Sequence, residues 1–184
     1  MQKSVAIRDA QNDAIESTIG VSAILKIRTG AAPANCAAAD SGTVLATLNL
    51  PSDWMAASSS GVKSLLGTWQ DSSADASGEA CHFRFYNSAG TTCHLQGVVS
   101  APWQASKPYA VGASVHNGGS VYRCTAAGTS ASSGGPSGTG GSITDGTVTW
   151  AYVQGSTEIT VDNGTFVTGQ QFTVNTFAIT ASGA

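Results

Sequence analysis

Charge is what this sequence has least of. Asp, Glu, Lys and Arg make up 10% of its 184 residues, against about a quarter in an ordinary soluble domain. The net charge of −3 comes with no basic run, so no nucleic-acid partner is expected. No segment is apolar for long enough to span a bilayer. The opening MQKSVAIRDAQNDAIESTIG also lacks the apolar stretch of a secretory signal. Neither membrane insertion nor export by that route is expected. Cys36, Cys81, Cys93 and Cys124 form no CxxC pair, which removes the usual spacing of a zinc site. Their even number permits two disulfides without choosing either. Cys36 with Cys93 is one pairing, available if the AAPANC loop folds over the strands that follow it.

Catalytic signatures are missing too. No Ser/His/Asp set, carboxylate pair or phosphate loop stands out. GGPSGTGGS is glycine-rich but lacks the Lys-Ser/Thr ending and the strand-to-helix setting, and it reads as a flexible surface loop. No enzyme activity, cofactor or metal is expected.

Ala, Gly, Ser and Thr fill the chain instead, around short β-patterned runs. Residues Ser4 to Ile19 read as a helix capped by Ser4 and stopped by Gly20. Ile7, Ala10, Ala14 and Thr18 share one of its faces, suited to packing on a sheet or a neighbouring subunit. From Ser22 the period becomes two. SAILKIRTG, TVLATLNL, VKSLLGTWQ, TEITVDN and QQFTVNTFAITA read as strands, and two more flank the turn NSAG. Pairing Asn87 with Thr91 sets Phe85 opposite Cys93, Phe83 opposite Leu95 and Cys81 opposite Gly97, all on one apolar face. The outer face then carries His82, Arg84, Tyr86, His94 and Gln96. It reads as a polar surface or subunit contact, with a metal site at the two histidines as the alternative.

The fold class expected is all-β: an antiparallel sandwich or jelly roll with an N-terminal helix and a small three-stranded insert. The boundaries are 1–20 for the helix, 21–100 and 155–184 for the sandwich, and 101–154 for the insert. An exposed, extracellular type of composition without an export signal suits a virion protein, made in the host cytoplasm and released by lysis.

The insert concentrates the large aromatics Trp103, Tyr109, Tyr122, Trp150 and Tyr152. So small a unit needs some of them as core. Any left exposed would suit the apolar face of a sugar ring. The pattern Trp103, Tyr109, Gly112, Val115, Gly119, Val121, Tyr122, Pro136, Trp150, Tyr152 resembles the chitin- and cellulose-binding modules of the type 5/12 carbohydrate-binding families. The SITDGTVTW ending looks like the variant found in bacteriophage structural proteins. That resemblance implies a sugar platform of Trp103 with Trp150 or Tyr152.

The flanks, AIESTIGVSAILKIRTGAAPANCAAADSGTVLATLNLPSDWM and GTWQDSSADASGEACHFRFYNSAGTTCHLQG, resemble small tailed-phage virion proteins. What this resemblance implies is a capsid decoration or cement protein. It would be a homo-oligomer, with a trimer suited to a capsid axis, bound to the major capsid protein or other virion proteins and displaying the insert toward a cell-surface glycan. A tail or baseplate adsorption protein is the alternative, and an accessory domain of a secreted enzyme a third.

Overall fold

A computed structural model describes residues 1–183. The chain opens with helix α1, Val5–Ile19. The Ile7 N–H donates to Ser4 Oγ at 3.3 Å, and Gly20, at φ 90°, closes the far end with its N–H on Glu16 O. The helix is turned the opposite way from the sequence expectation of sheet packing. Ile7, Ala10, Ala14 and Thr18 are all exposed. The inward side is Arg8, Asp9, Asn12, Ile15, Glu16 and Ile19, and it is mostly polar. Its groups are taken up by residues 55–63. Asn12 Nδ2 donates to Gly61 O, Asp9 accepts from Gly61 N–H, and Glu16 accepts from Met55 N–H. The ammonium of Lys63, itself buried, sits 2.8 Å from both Asp13 and Glu16. Hydrogen bonds and ion pairs, not apolar spacing, therefore decide the helix orientation.

Seven strands precede the insert: β1 (Ile24–Arg28), β2 (Val44–Asn49), β3 (Val62–Ser64), β4 (Gln70–Asp71), β5 (Gly78–Glu79), β6 (His82–Tyr86) and β7 (Cys93–Pro102). Six lie within it: β8 (Pro108–Tyr109), β9 (Ser114–Asn117), β10 (Ser120–Ala126), β11 (Gly128–Thr129), β12 (Ile143–Asp145) and β13 (Val148–Gln154). Three follow: β14 (Ile159–Val161), β15 (Thr165–Phe166) and β16 (Phe172–Thr180). The fold is all-β and sandwich-like with one helix, as the residue patterns require. Its main sheet of 12 strands is mixed, however, not purely antiparallel.

Strand β7 accounts for the mixing. Its first part pairs antiparallel with β6, Val99 and Ser100 then pair parallel with β14, and Ala101 and Pro102 pair parallel with β9. Parallel neighbours cannot be joined by a tight turn; they need a crossover of about a dozen residues or more. The insert is that crossover, so β7 and β14 are side-by-side strands and not one interrupted strand.

Two apolar cores lie on either side of this junction. The larger centres on Trp54, Trp69, Phe83, Phe85 and Phe177, with ring centroids 5.1 to 5.9 Å apart along the chain of contacts. Burying each such ring contributes roughly 1.5–3 kcal/mol. The smaller belongs to the insert: Tyr109, Ala113, Val115, Tyr122, Cys124, Val148 and Trp150.

The β6–β7 register departs from the sequence expectation. Phe85 lies opposite Leu95, Phe83 opposite Gly97, and Tyr86 opposite Cys93. The turn is the cause: Asn87 N–H bonds to Thr92 O, and Asn87 Oδ1 accepts from Thr91 and Thr92 N–H. The turn thus takes one more residue on the β7 side, and a bulge between Phe85 and Tyr86 absorbs another. A shift of two keeps Phe83, Phe85 and Leu95 on the core face. Cys93 instead turns to the opposite face, where its sulfur accepts from Arg84 Nε at 3.1 Å.

Candidate functional site

The insert and the outer face of β6–β7 hold the side chains singled out by the sequence. In the insert, the five aromatics are gathered but not equally presented. Trp150 is 0% exposed, Tyr122 2% and Tyr109 7%, while Trp103 and Tyr152 are half-buried. Trp150 and Trp103 are joined by one carboxylate: both indole N–H groups donate to Asp145 Oδ2, at 3.1 and 2.7 Å. Asp145, itself buried, also accepts from Ala131 N–H. The Tyr109 ring meets Trp150 edge-on with centroids 4.9 Å apart, Lys107 Nζ lies over its face, and its hydroxyl accepts from Gln104 N–H. Tyr122 and Tyr152 are cross-strand partners with centroids 6.1 Å apart.

A stacking platform needs an open ring face. Tyr109, Tyr122 and Trp150 have none and serve as the core of the insert, because its four short strand pairs supply few other large side chains to fill it. That leaves Trp103 and Tyr152 as the rings with accessible surface. Trp103 is partly roofed by Gly135, where an added Cβ would lie 2.9 Å from its Cδ2 at a φ of +77°. Only glycine allows this approach.

The glycine-rich stretch is not a loose loop. Asn117 Nδ2 donates to Gly134 O and Pro136 O, Tyr122 Oη donates to Gly138 O, and Pro136 is buried. These anchors sit far along the chain, which is why composition alone suggests flexibility.

The outer face of β6–β7 is likewise not a free polar surface. His82, Arg84 and Tyr86 are all buried, Arg84 and Tyr86 beneath the segment 31–42. Arg84 donates to Cys36 O and Ala38 O and pairs with Asp40; Arg28 donates to Ser41 O and Gly42 O and pairs with the same Asp40; Tyr86 Oη donates to it as well. Gln96 Nε2 donates to Pro33 O. Burial by itself would raise the Asp40 carboxyl, but the Tyr86 hydrogen bond and the charges of Arg28, Arg84 and Lys26 outweigh it and hold it below its ordinary value. Asp40 is the residue the sequence reading missed. Its only local signal is being the one carboxylate in a long Ala-rich loop.

The two histidines do not share a site. His82 Nδ1 bonds Gly30 O at 3.0 Å in full burial, and since a carbonyl only accepts, that nitrogen carries the proton. His94 lines a shallow cavity with Ala14, Ile15, Thr18 and Ile19 of α1. Comparison of the chain with protein-family models, curated proteins and solved structures finds no match.

Proposed function

We propose that this chain is a structural protein of a tailed-phage virion, acting by attachment to the shell and display of the insert. The observation that supports this reading is α1. It is fixed to the domain by its polar side, and Ile7, 53% exposed, lies on the opposite face with Ala10 and Ala14, both exposed as well. Scattered exposed apolar residues are ordinary, but here they align on one face of a helix at the periphery. A second surface, such as a capsid subunit or a neighbouring copy at a symmetry axis, would bury them. Cement proteins of this kind stabilise the shell by mass action on the assembled state.

The test is binding of purified protein to shells assembled without it. Ile7→Asp combined with Ala14→Asp should leave the melting temperature within a degree or two and abolish sedimentation with shells. Unchanged sedimentation by that variant would refute attachment through α1. Antibody labelling of whole particles separates head from tail.

A second reading, carbohydrate recognition by a tail or baseplate protein, is favoured by the exposed parts of Trp103 and Tyr152. Tyr152→Ala with Trp103→Ala is the informative pair. Replacing Trp150 would remove core rather than platform.

A further inference from the structure

The segment 31–42 brings Cys36 onto the outer face of β7, beside Cys93. One guanidinium holds both residues: Arg84 Nε donates to Cys93 Sγ at 3.1 Å and Arg84 Nη2 to Cys36 O at 2.7 Å. Both cysteines are half-buried and unpaired, and they line an open cavity of about 300 Å³ with Asp40, Tyr86, Gly90 and Thr91. The remaining two cysteines, Cys81 and Cys124, are buried, their thiols bonded to Gly112 O and Ala126 O.

We infer that Cys36 and Cys93 form an oxidation site, which a small-molecule disulfide such as oxidised glutathione converts into an intramolecular disulfide that fastens the 31–42 segment to β7. The cavity gives the reagent access, and the shared guanidinium holds Cys93 Sγ and the Cys36 carbonyl side by side. Cys93 attacks first, since its sulfur lies against the positive Arg84 guanidinium at 3.1 Å, whereas burial pushes the Cys36 thiol up. The Cys93 thiolate attacks one sulfur of the reagent, expelling one small thiolate and leaving a mixed disulfide. Cys36 gives its proton to that thiolate, then attacks the Cys93 sulfur and expels the second small thiolate. Two protein thiols are oxidised, and one small disulfide is reduced to two thiols.

The link closes a long stretch of chain and joins segments already in native contact. It therefore raises the melting temperature by roughly 5 °C or more. In a reducing cytoplasm the pair stays open; outside the cell it closes.

The experiment uses the unmodified folded chain. After incubation with oxidised glutathione, trypsin places each cysteine on its own peptide: 29–63, 64–84, 85–123 and 124–184, Lys107 being protected by Pro108. The expected product is 29–63 joined to 85–123, with the intact mass lowered by two hydrogens and a higher melting temperature. Cys36→Ser should stop the reaction at a glutathione adduct on Cys93. Three results would overturn the inference: unlinked peptides from the folded protein under conditions that cross-link the urea-unfolded chain, stable adducts on both thiols, or a link through Cys81 or Cys124.

Discussion

Asp40 holds two guanidiniums and a phenol on a single carboxylate, and its removal tests how the buried face of β6 is neutralised. Arg28 and Arg84 have side chains 7% and 1% exposed, while Asp40 remains 36% exposed. Removing a partner from buried charges costs about 3–5 kcal/mol in a dry site. Solvent at Asp40 reduces this, so Asp40→Ala should lower stability by about 2 kcal/mol, read as a shift in the urea midpoint at constant slope.

The histidines give the pH dependence. Burial pushes His82 below its ordinary value; the Gly30 bond opposes this, and Arg28, Arg123 and Arg84 reinforce it. Burial also lowers His116, against its contact with Ser100. For a depressed pKa the unfolded chain takes up the proton first, so the stability is complete above about 6.5 and is lost as pH falls through the lower folded value. Melting temperature should therefore drop between pH 7 and pH 5. Proton NMR should show His82 and His116 titrating below 6.5; midpoints at or above that value would reject the sign.

At the scale of elements, α1 is an attachment more than a core helix. Its anchor is Lys63 on β3, with a side chain 3% exposed between Asp13 and Glu16. Burial opposes the Lys63 charge, but its hydrogen bonds to the Asp13 and Glu16 carboxylates outweigh it and raise its pKa. Lys63→Met keeps the stem and removes the charge, and should cost about 2 kcal/mol. The loss should be local: faster amide exchange and tryptic cleavage at Arg8, with the far strands unchanged. Equal acceleration throughout would mean that α1 is integral to the main core. The hairpin shows what was legible at this level. Alternation alone puts Phe83, Phe85 and Leu95 on one face, because side-chain parity survives a shift of two. The register depended on how Asn87 caps the turn, which strand pattern does not encode.

For the whole molecule, the insert is a topological requirement. Val99 and Ile159 are parallel neighbours, so joining residues 102 and 155 by two residues should leave β14 unable to reach its place, and the product should be unfolded by circular dichroism. A flexible link of about a dozen residues or more should restore the fold, at reduced stability, because Arg123 Nη2 no longer donates to Cys81 O and Cys81 no longer reaches Gly112 O. A cooperative fold with the two-residue link would disprove the crossover role.

The sequence by itself determined the all-β class, the position and caps of α1, and the aromatics that fill the smaller core. Each of these follows from local period, capping residues or composition, which are properties of neighbours in the chain. Tertiary structure decided which way α1 faces, that the outer face of β6 is covered, that the glycine-rich loop is anchored, and which two aromatics keep an open surface. It also decided that Cys36 meets Cys93. Those outcomes rest on single polar partners well separated along the chain, such as Lys63 with Asp13 and Glu16, Arg84 with Asp40, and Asn117 with Gly134. No periodicity announces such pairs; they exist only once the fold has brought them within hydrogen-bond reach.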